Sequence, residues 1–460
     1  MNTKSLKSRY ASDQLTETDS ISKILFALNA SRDSLIDELE QNYPQYFRIK
    51  YDPHIPTLTE IQSQLIHEQE AALVYFLDEG YLYRFDIRKD AVDFSRKELS
   101  GDFAARIRDF RQLVYAPLSS ETDDDFVEMQ QAYVSEAKGL YDLLLPTPND
   151  FEGIQQLKII PDGVLSMLSM DLLLREAPSD IGNLRNYAWA IKDYEFSYLY
   201  SMGLWMYLEE TRSAERPEPK LLAFQPSYPA TDLEEGLFAE RRAGFGPLKF
   251  SEAEVKGISD FYSAEILSGK QANEANFYKM ADEYPIIHIS SHAMVPEKKQ
   301  RDAFIALSQS EDGAYDDSLM IEELYSQRLK AEMVVLSACE TGLGELAEGE
   351  GVLSLGRAFT YAGARSLIMS LWEVNDESTA EIMTDFYKYL AEGDAKSTAL
   401  RKAKLAYIEK SDQLESQPYF WAAFLASGDM QPLPEKSSNS WLWLLAILGI
   451  IGIFWGIKKR

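Results

Sequence analysis

Cysteine is almost missing from this chain of 460 residues: Cys339 stands alone. A single thiol cannot close an internal disulfide, which excludes a disulfide scaffold and suits a reducing compartment. Histidine is nearly as scarce, with four residues, His54, His67, His288 and His292. Positive charge is in deficit, 46 Lys and Arg against 74 Asp and Glu for a net charge of -28, and no basic cluster with interleaved aromatics occurs. Phosphate backbones are bound through basic faces that release counterions, so a nucleic-acid partner is excluded. No G-x-G-x-x-G or P-loop follows a strand-like run, which argues against a nucleotide-binding α/β protein. The opening "MNTKSLKSRYASD" is polar, so no hydrophobic signal segment is expected there.

What is present suffices for folded domains, because 45% apolar and 12% aromatic residues can fill two or three cores in a chain of this length. Residues 19–44 carry Ile21, Ile24, Leu25, Leu28, Leu35, Ile36 and Leu39 at helical spacing behind Asp19 or Ser20 as cap, which predicts one amphipathic helix that packs. Between 46 and 215 lie strand-like runs, "AALVYFLDEGYLYRFDI" and "QLKIIPDG", and helix-like runs around "SMLSMDLLLRE" and "EFSYLYSMGLWMYLEE". "ERPEPK" at 215–220 marks a domain boundary, since its two prolines disfavour helix on either side. Strand and helix patterns then alternate, from "LLAFQ" to "ESTAEIMTDFYKYLAEG", which predicts an α/β fold with a parallel sheet and helices on both faces.

Two of those strands end in reactive side chains: "IIHISSHA" in His292 and "MVVLSACETG" in Cys339. Open α/β sheets place their chemistry just beyond strand carboxyl ends, and a cysteine with a histidine about 50 residues upstream is a known nucleophile pattern. A lone cysteine ending an apolar strand is more often a packing residue. Here the loop "SACETGLGELAEGEG" is longer than a structural turn needs, and its glycines let backbone approach a substrate. In the helix expected next, Val352, Leu355, Phe359 and Ala362 share one face and seat it on the sheet. His288 precedes His292 by four residues and is read as a packed strand histidine; zinc is the weaker reading, because no second cysteine or carboxylate pair accompanies it. Lys298, Lys299 and Arg301 form a solvated loop or a self-cleavage site.

On "HISSHA", on "LSACETGLGELAEGEGVLSLGRAFTYAGARSLIMSLWEVND" and on "YFWAAFLASGD", the chain resembles CHAT-domain proteins, a bacterial branch of the caspase, separase and gingipain superfamily of cysteine peptidases. The resemblance covers roughly residues 60 to 430 and implies a caspase-like fold, with 46–215 an inactive caspase-like half bracing a catalytic half at 216–430. Relatives often carry tetratricopeptide repeats ahead of this domain, but no second copy at that period accompanies the segment 1–45, at most a remnant. The family chemistry would be a Cys339–His292 dyad with no cofactor, acting on a protein or peptide substrate. Backbone N–H groups of Cys339 and Ala293 would hold the oxyanion, Ala293 standing where the superfamily usually has glycine. Relatives commonly prefer Arg or Lys before the scissile bond, and a buried cation needs a carboxylate. Asp376 matches the family's acidic position and Glu373 is second; alternatively, Asp376 caps the helix that starts at Glu377. The rival reading is a catalytically silent scaffold of the same fold that binds partners at a membrane.

That membrane enters through the C-terminus. After the linker 431–440, residues 441–457, "WLWLLAILGIIGIFWGI", contain no charge, and Lys458, Lys459 and Arg460 follow. Seventeen helical residues span roughly 26 Å, close to a hydrocarbon core of about 30 Å. A single-pass transmembrane anchor in the lipid bilayer is expected; Lys458, Lys459 and Arg460 favour a cytoplasmic C-terminus, but the polar opening without a signal segment weighs more and places the catalytic domain in the cytoplasm. Oligomeric state is not legible.

Overall fold

The computed structural model describes residues 31–50 in part, 54–115, 118, 122–147, 150–213, 217–228, 248, 251–294, 303–309, 318–337, 352–372 and 375–434. The chain divides into two compact units, Met1–His54 and Ile55–Arg460. In the first, the described residues between 31 and 42 are helical and a short helix follows at Pro44–Lys50. The amphipathic helix expected at 19–44 is seen over its second half, and its beginning lies outside the described residues.

The second unit is built on one eleven-stranded sheet. Its strands are β1 (Glu70–Asp78), β2 (Tyr81–Arg88), β3 (Val92–Glu98), β4 (Gln156–Ile160), β5 (Glu195–Tyr198), β6 (Lys220–Gln225), β7 (Ser263–Ser268), β8 (Ile286–Ile289), β12 (Met333–Leu336), β13 (Ser366–Ser370) and β14 (Phe424–Gly428). A smaller three-stranded sheet holds β9 (Ala293–Met294), β10 (Phe304–Ala306) and β11 (Ser318–Met320). The order in the large sheet is β3-β2-β1-β4-β5-β14-β13-β12-β8-β6-β7. The principal helices are α1 (Phe103–Tyr115), α2 (Asp123–Leu144), α3 (Met202–Glu210), α4 (Ser251–Ser259), α5 (Glu274–Met280), α6 (Val352–Ala362), α7 (Asp376–Ala391) and α8 (Lys396–Lys410).

The sheet is mixed, which corrects the expected parallel sheet. β6, β7, β8, β12 and β13 are parallel as anticipated. β14 runs antiparallel to β13, because two long helices, α7 and α8, separate them, followed only by the single turn Pro418–Trp421. One helix carries a chain back to the strand's start, whereas two return it to the end it left. At the other edge β1, β2 and β3 form an antiparallel meander. The long run "AALVYFLDEGYLYRFDI" is thus two strands, joined at Glu79 and Gly80 with φ of 42° and 83°, the left-handed pair that a tight hairpin requires.

"SMLSMDLLLRE" is not a helix but two 3₁₀ turns, Gly163–Met167 and Met170–Leu172. Leu165, Leu168, Met170, Leu172, Leu173 and Leu174 are all buried, so no polar face enforces a helical period. "EFSYLYSMGLWMYLEE" begins as β5 and becomes α3 only after Ser201, whose hydroxyl caps Leu204 N–H at 3.1 Å.

Strands β8, β12 and β13 are buried along their whole length. Ile286, Met333, Val335 and Ile368 enter one core with residues of α4, α7 and α8, while Ile287, Ile289, Val334, Leu336, Leu367 and Met369 enter a second with residues of α5 and α6. Burial on both faces explains why these strands are continuous apolar runs. In α6, Leu355, Phe359 and Ala362 are buried as their spacing predicted. Gly363 ends that helix with φ 125°, where a Cβ would stand 2.1 Å from Leu329 O, so only glycine fits.

Candidate active site

β8 and β12 are neighbours in the sheet, parallel, with Ile289 opposite Leu336. Ser337 N–H donates to Ile289 O at 3.0 Å, so the pairing persists to the carboxyl rim. On the far side Ser290 N–H donates to Phe224 O at 3.0 Å, which ties the end of β8 to β6. The three strands therefore finish together. In sequence His292 follows the last residue of β8 by three, and Cys339 follows the last residue of β12 by three. Cys339 and Glu373 both lie outside the described residues, as do Lys298, Lys299 and Arg301.

His292 is half-buried between β8 and β9. Its carbonyl accepts from Ala306 N–H at 2.8 Å, its N–H donates to the Tyr228 hydroxyl at 3.3 Å, and its ring lies 4.9 Å from the Tyr228 ring, tilted by 57°. Ala293 opens β9 opposite Ile305 of β10. Since His292 and Ala306 form the hydrogen-bonded pair, Ala293 occupies the alternate position, and its N–H is directed away from β10.

His288 is fully buried. Its Nδ1 lies 3.1 Å from the Tyr387 hydroxyl of α7, and its Nε2 lies 3.2 Å from Glu254 Oε1 of α4. That second approach is close enough for an ion pair yet is not aligned as a hydrogen bond, and neither atom has another partner among the described residues. The other Glu254 oxygen accepts from Ser290 at 2.8 Å. Burial holds the Tyr387 phenol well above its ordinary range, so it stays a neutral hydroxyl. The packed-histidine reading of His288 stands, with a carboxylate from a helix that the strand sequence did not reveal.

Asp376 is the first residue of α7 and half-buried. The cap is Asn375, whose Oδ1 accepts from Glu377 N–H and Ser378 N–H, each at 3.1 Å. A capping role for Asp376 is thereby corrected, because the side chain one position earlier occupies those N–H groups. Arg111 of α1 donates to Leu371 O at 3.0 Å just past β13, and burial pulls its guanidinium below the ordinary value against the opposing phenol of Tyr115.

Two residues near the histidine escaped sequence reasoning. Glu254 gave no signal, being one acid on an amphipathic helix. Tyr228 follows β6 by three residues, the same offset that singled out His292 and Cys339. Beside Tyr228, at the carboxyl ends of β6 and β7, a cavity of about 560 Å³ opens between Gln225, Ser227, Leu248, Val255 and Ile266.

Among the described residues no helix is long and apolar enough to cross a membrane, and 441–457 lie outside them.

Tetratricopeptide repeat protein 28 of Mus musculus is 23% identical over 225 residues, 42% of this chain and 9% of that protein. The Homo sapiens protein of the same name is 24% identical over 225 residues, with the same shares. The chain thus matches under a tenth of these relatives' length. Among solved structures, a Saccharomyces cerevisiae separase–securin complex aligns with TM-score 0.49 and 11% identity over 88% of this chain and 34% of that one. The Arg-specific cysteine proteinase gingipain R aligns with TM-score 0.38 and 11% identity, over 73% and 76%. The family model described as CHAT domain matches residues 134–429, well over half of the sequence, and the chain belongs to that family.

Proposed function

We propose that the protein is a caspase-like cysteine endopeptidase that cleaves after Arg or Lys, with Cys339 as nucleophile and His292 as base. The observation that carries this reading is the shared rim: adjacent parallel strands β8 and β12 end level, and each is followed at the same offset by one half of the pair. Cys339 attacks the scissile carbonyl as thiolate, and the Ala293 and Cys339 N–H groups receive the oxyanion. His292 takes the thiol proton and returns it to the leaving amine, and water then hydrolyses the thioester. Asp376 holds the basic side chain, with Glu373 as its nearest rival. Residues after the scissile bond leave on the His292 side, where the cavity beside Tyr228 offers room.

The test is cleavage of Arg- and Lys-containing peptides by Cys339→Ala and His292→Ala. Both are expected to lose activity while keeping the fold, since His292 is only half-buried and Cys339→Ala removes a single sulfur atom. Full cleavage by Cys339→Ala would remove the peptidase reading and leave the silent scaffold. That alternative draws on one feature: Phe76, Phe85 and Phe94 are 53%, 41% and 56% exposed on one face of the β1–β3 meander, an apolar patch able to bind a protein partner.

Residues 441–457 are proposed to anchor the domain to a bilayer on its cytoplasmic side, where a lone thiol stays reduced. Removing 436–460 is expected to move the active protein from the membrane to the soluble fraction. Membrane retention of the shortened chain would sink the anchor.

A further inference from the structure

We propose that Tyr228 is the positioning residue of His292, its hydroxyl spliced into the backbone ladder that carries the histidine and its ring set against the imidazole. The proposal rests on reading His292 as the base of the dyad. Where His292 meets Ala306, an antiparallel pair would exchange two backbone bonds. One of them is made, from Ala306 N–H to His292 O at 2.8 Å. The return bond runs through side-chain hydroxyls instead: His292 N–H donates to Tyr228 Oη at 3.3 Å, and Ala306 O accepts from Tyr228 Oη at 2.9 Å and also from Ser291 Oγ. One oxygen atom therefore wedges His292 away from β10 at the point where the chain leaves β8.

Tyr228 is itself held firmly. Its predecessor Ser227 donates its N–H to Ser308 Oγ at 3.0 Å, and Ser308 N–H in turn donates to Ala272 O at 2.8 Å. Ser291 Oγ lies 2.8 Å from the phenol oxygen, which completes a cluster that touches the residues on both sides of the His292 peptide. The ring adds a second constraint, meeting the imidazole at 4.9 Å. One residue from the neighbouring strand end thus meets both the backbone and the side chain of the base. A general base displaced by about 1 Å can lose on the order of a hundredfold in rate, so this wedge bears directly on the dyad.

The test uses iodoacetamide as probe, because Cys339 is the chain's one cysteine and alkylation reads it alone. In the full-length protein the pH at which alkylation reaches half its maximal rate is expected to lie below that of a free thiol, about 8.5, owing to His292. His292→Ala should raise that midpoint to the free value. Tyr228→Phe, which keeps the ring and removes only the hydroxyl, should raise it part of the way with an unchanged thermal unfolding midpoint. Ser291→Ala, which removes the hydroxyl's bonds to His292 O and Ala306 O but leaves the His292-to-Tyr228 bond, should shift the midpoint less than Tyr228→Phe does. A Tyr228→Phe midpoint equal to the wild type, with His292→Ala shifted, overturns the role of Tyr228 alone. A Ser291→Ala shift as large as that of Tyr228→Phe also overturns it, since the effect would then belong to the cluster. An unshifted His292→Ala removes the dyad and the proposal together.

Discussion

Asn375 and Asp376 are adjacent and have separable roles. Asn375 caps α7, and its replacement by alanine would cost about 1 kcal/mol of helix stability. Asp376 sits one position inside the helix, where the helix dipole favours its charge by some tenths of a kcal/mol. Asp376→Asn should therefore fold normally. If the carboxylate receives the substrate's cation, cleavage after Arg or Lys should fall several hundredfold, the loss expected when one partner of a buried pair is removed at about 3 to 5 kcal/mol. Reaction of Cys339 with iodoacetamide should be unaffected. An unchanged peptide rate in Asp376→Asn, with that loss in Glu373→Gln, would move the pocket to Glu373; no loss in either would end the basic preference. At this scale the strand-end rule picks out His292 and Cys339 from the sequence; Tyr228 stands at the same offset after β6, but a tyrosine carries no recognised nucleophile pattern. Glu254 was not legible at all, since its contacts with His288 and Ser290 span separations that only the fold brings together.

Elements differed in how plainly they were written. The alternation from β6 to α7 was readable because β6, β8, β12 and β13 are apolar runs buried on both faces over most or all of their length, and the helices between them carry apolar stripes. Where burial is complete and the segment is not a strand, as from Leu165 to Leu174, the same signal misleads: apolar residues on every side fit helix, strand or successive 3₁₀ turns equally well. The Glu79–Gly80 hairpin was available as a turn signal yet was absorbed into a longer apparent run. The reversal of β14 had no local signature. It follows from the number of helices before it, and from a vacancy between β5 and β13 that only the assembled sheet defines.

Across the whole second unit, Asp429 ties the end of β14 to distant parts of the chain. It pairs with Arg365 and with Arg212 at 3.0 Å each, and its carbonyl accepts from the buried Lys396 at 2.9 Å. Burial pushes its carboxyl upward, but Lys396, the Gln431 N–H, Arg212 and Arg365 together outweigh it and hold the pKa down to about 2. Because the folded value lies below the unfolded one of 3.8, this group stabilises the fold fully above about pH 4 and ceases to do so as pH falls through about 2. Asp429→Asn should lower unfolding free energy at pH 7 by about 2 kcal/mol, and the difference from wild type should shrink between pH 4 and 2 in acid titrations followed by circular dichroism. A constant difference across that range would mean that Asp429 acts through packing. The sequence by itself determined the α/β class, the family and the two strand-end residues, because apolar periodicity and short motifs are local properties of a chain. Only the tertiary structure decided the mixed sheet, the burial of His288 against Glu254 and the wedge of Tyr228 beside His292. Each depends on which strands become neighbours, and that is settled by long-range packing rather than by any single segment.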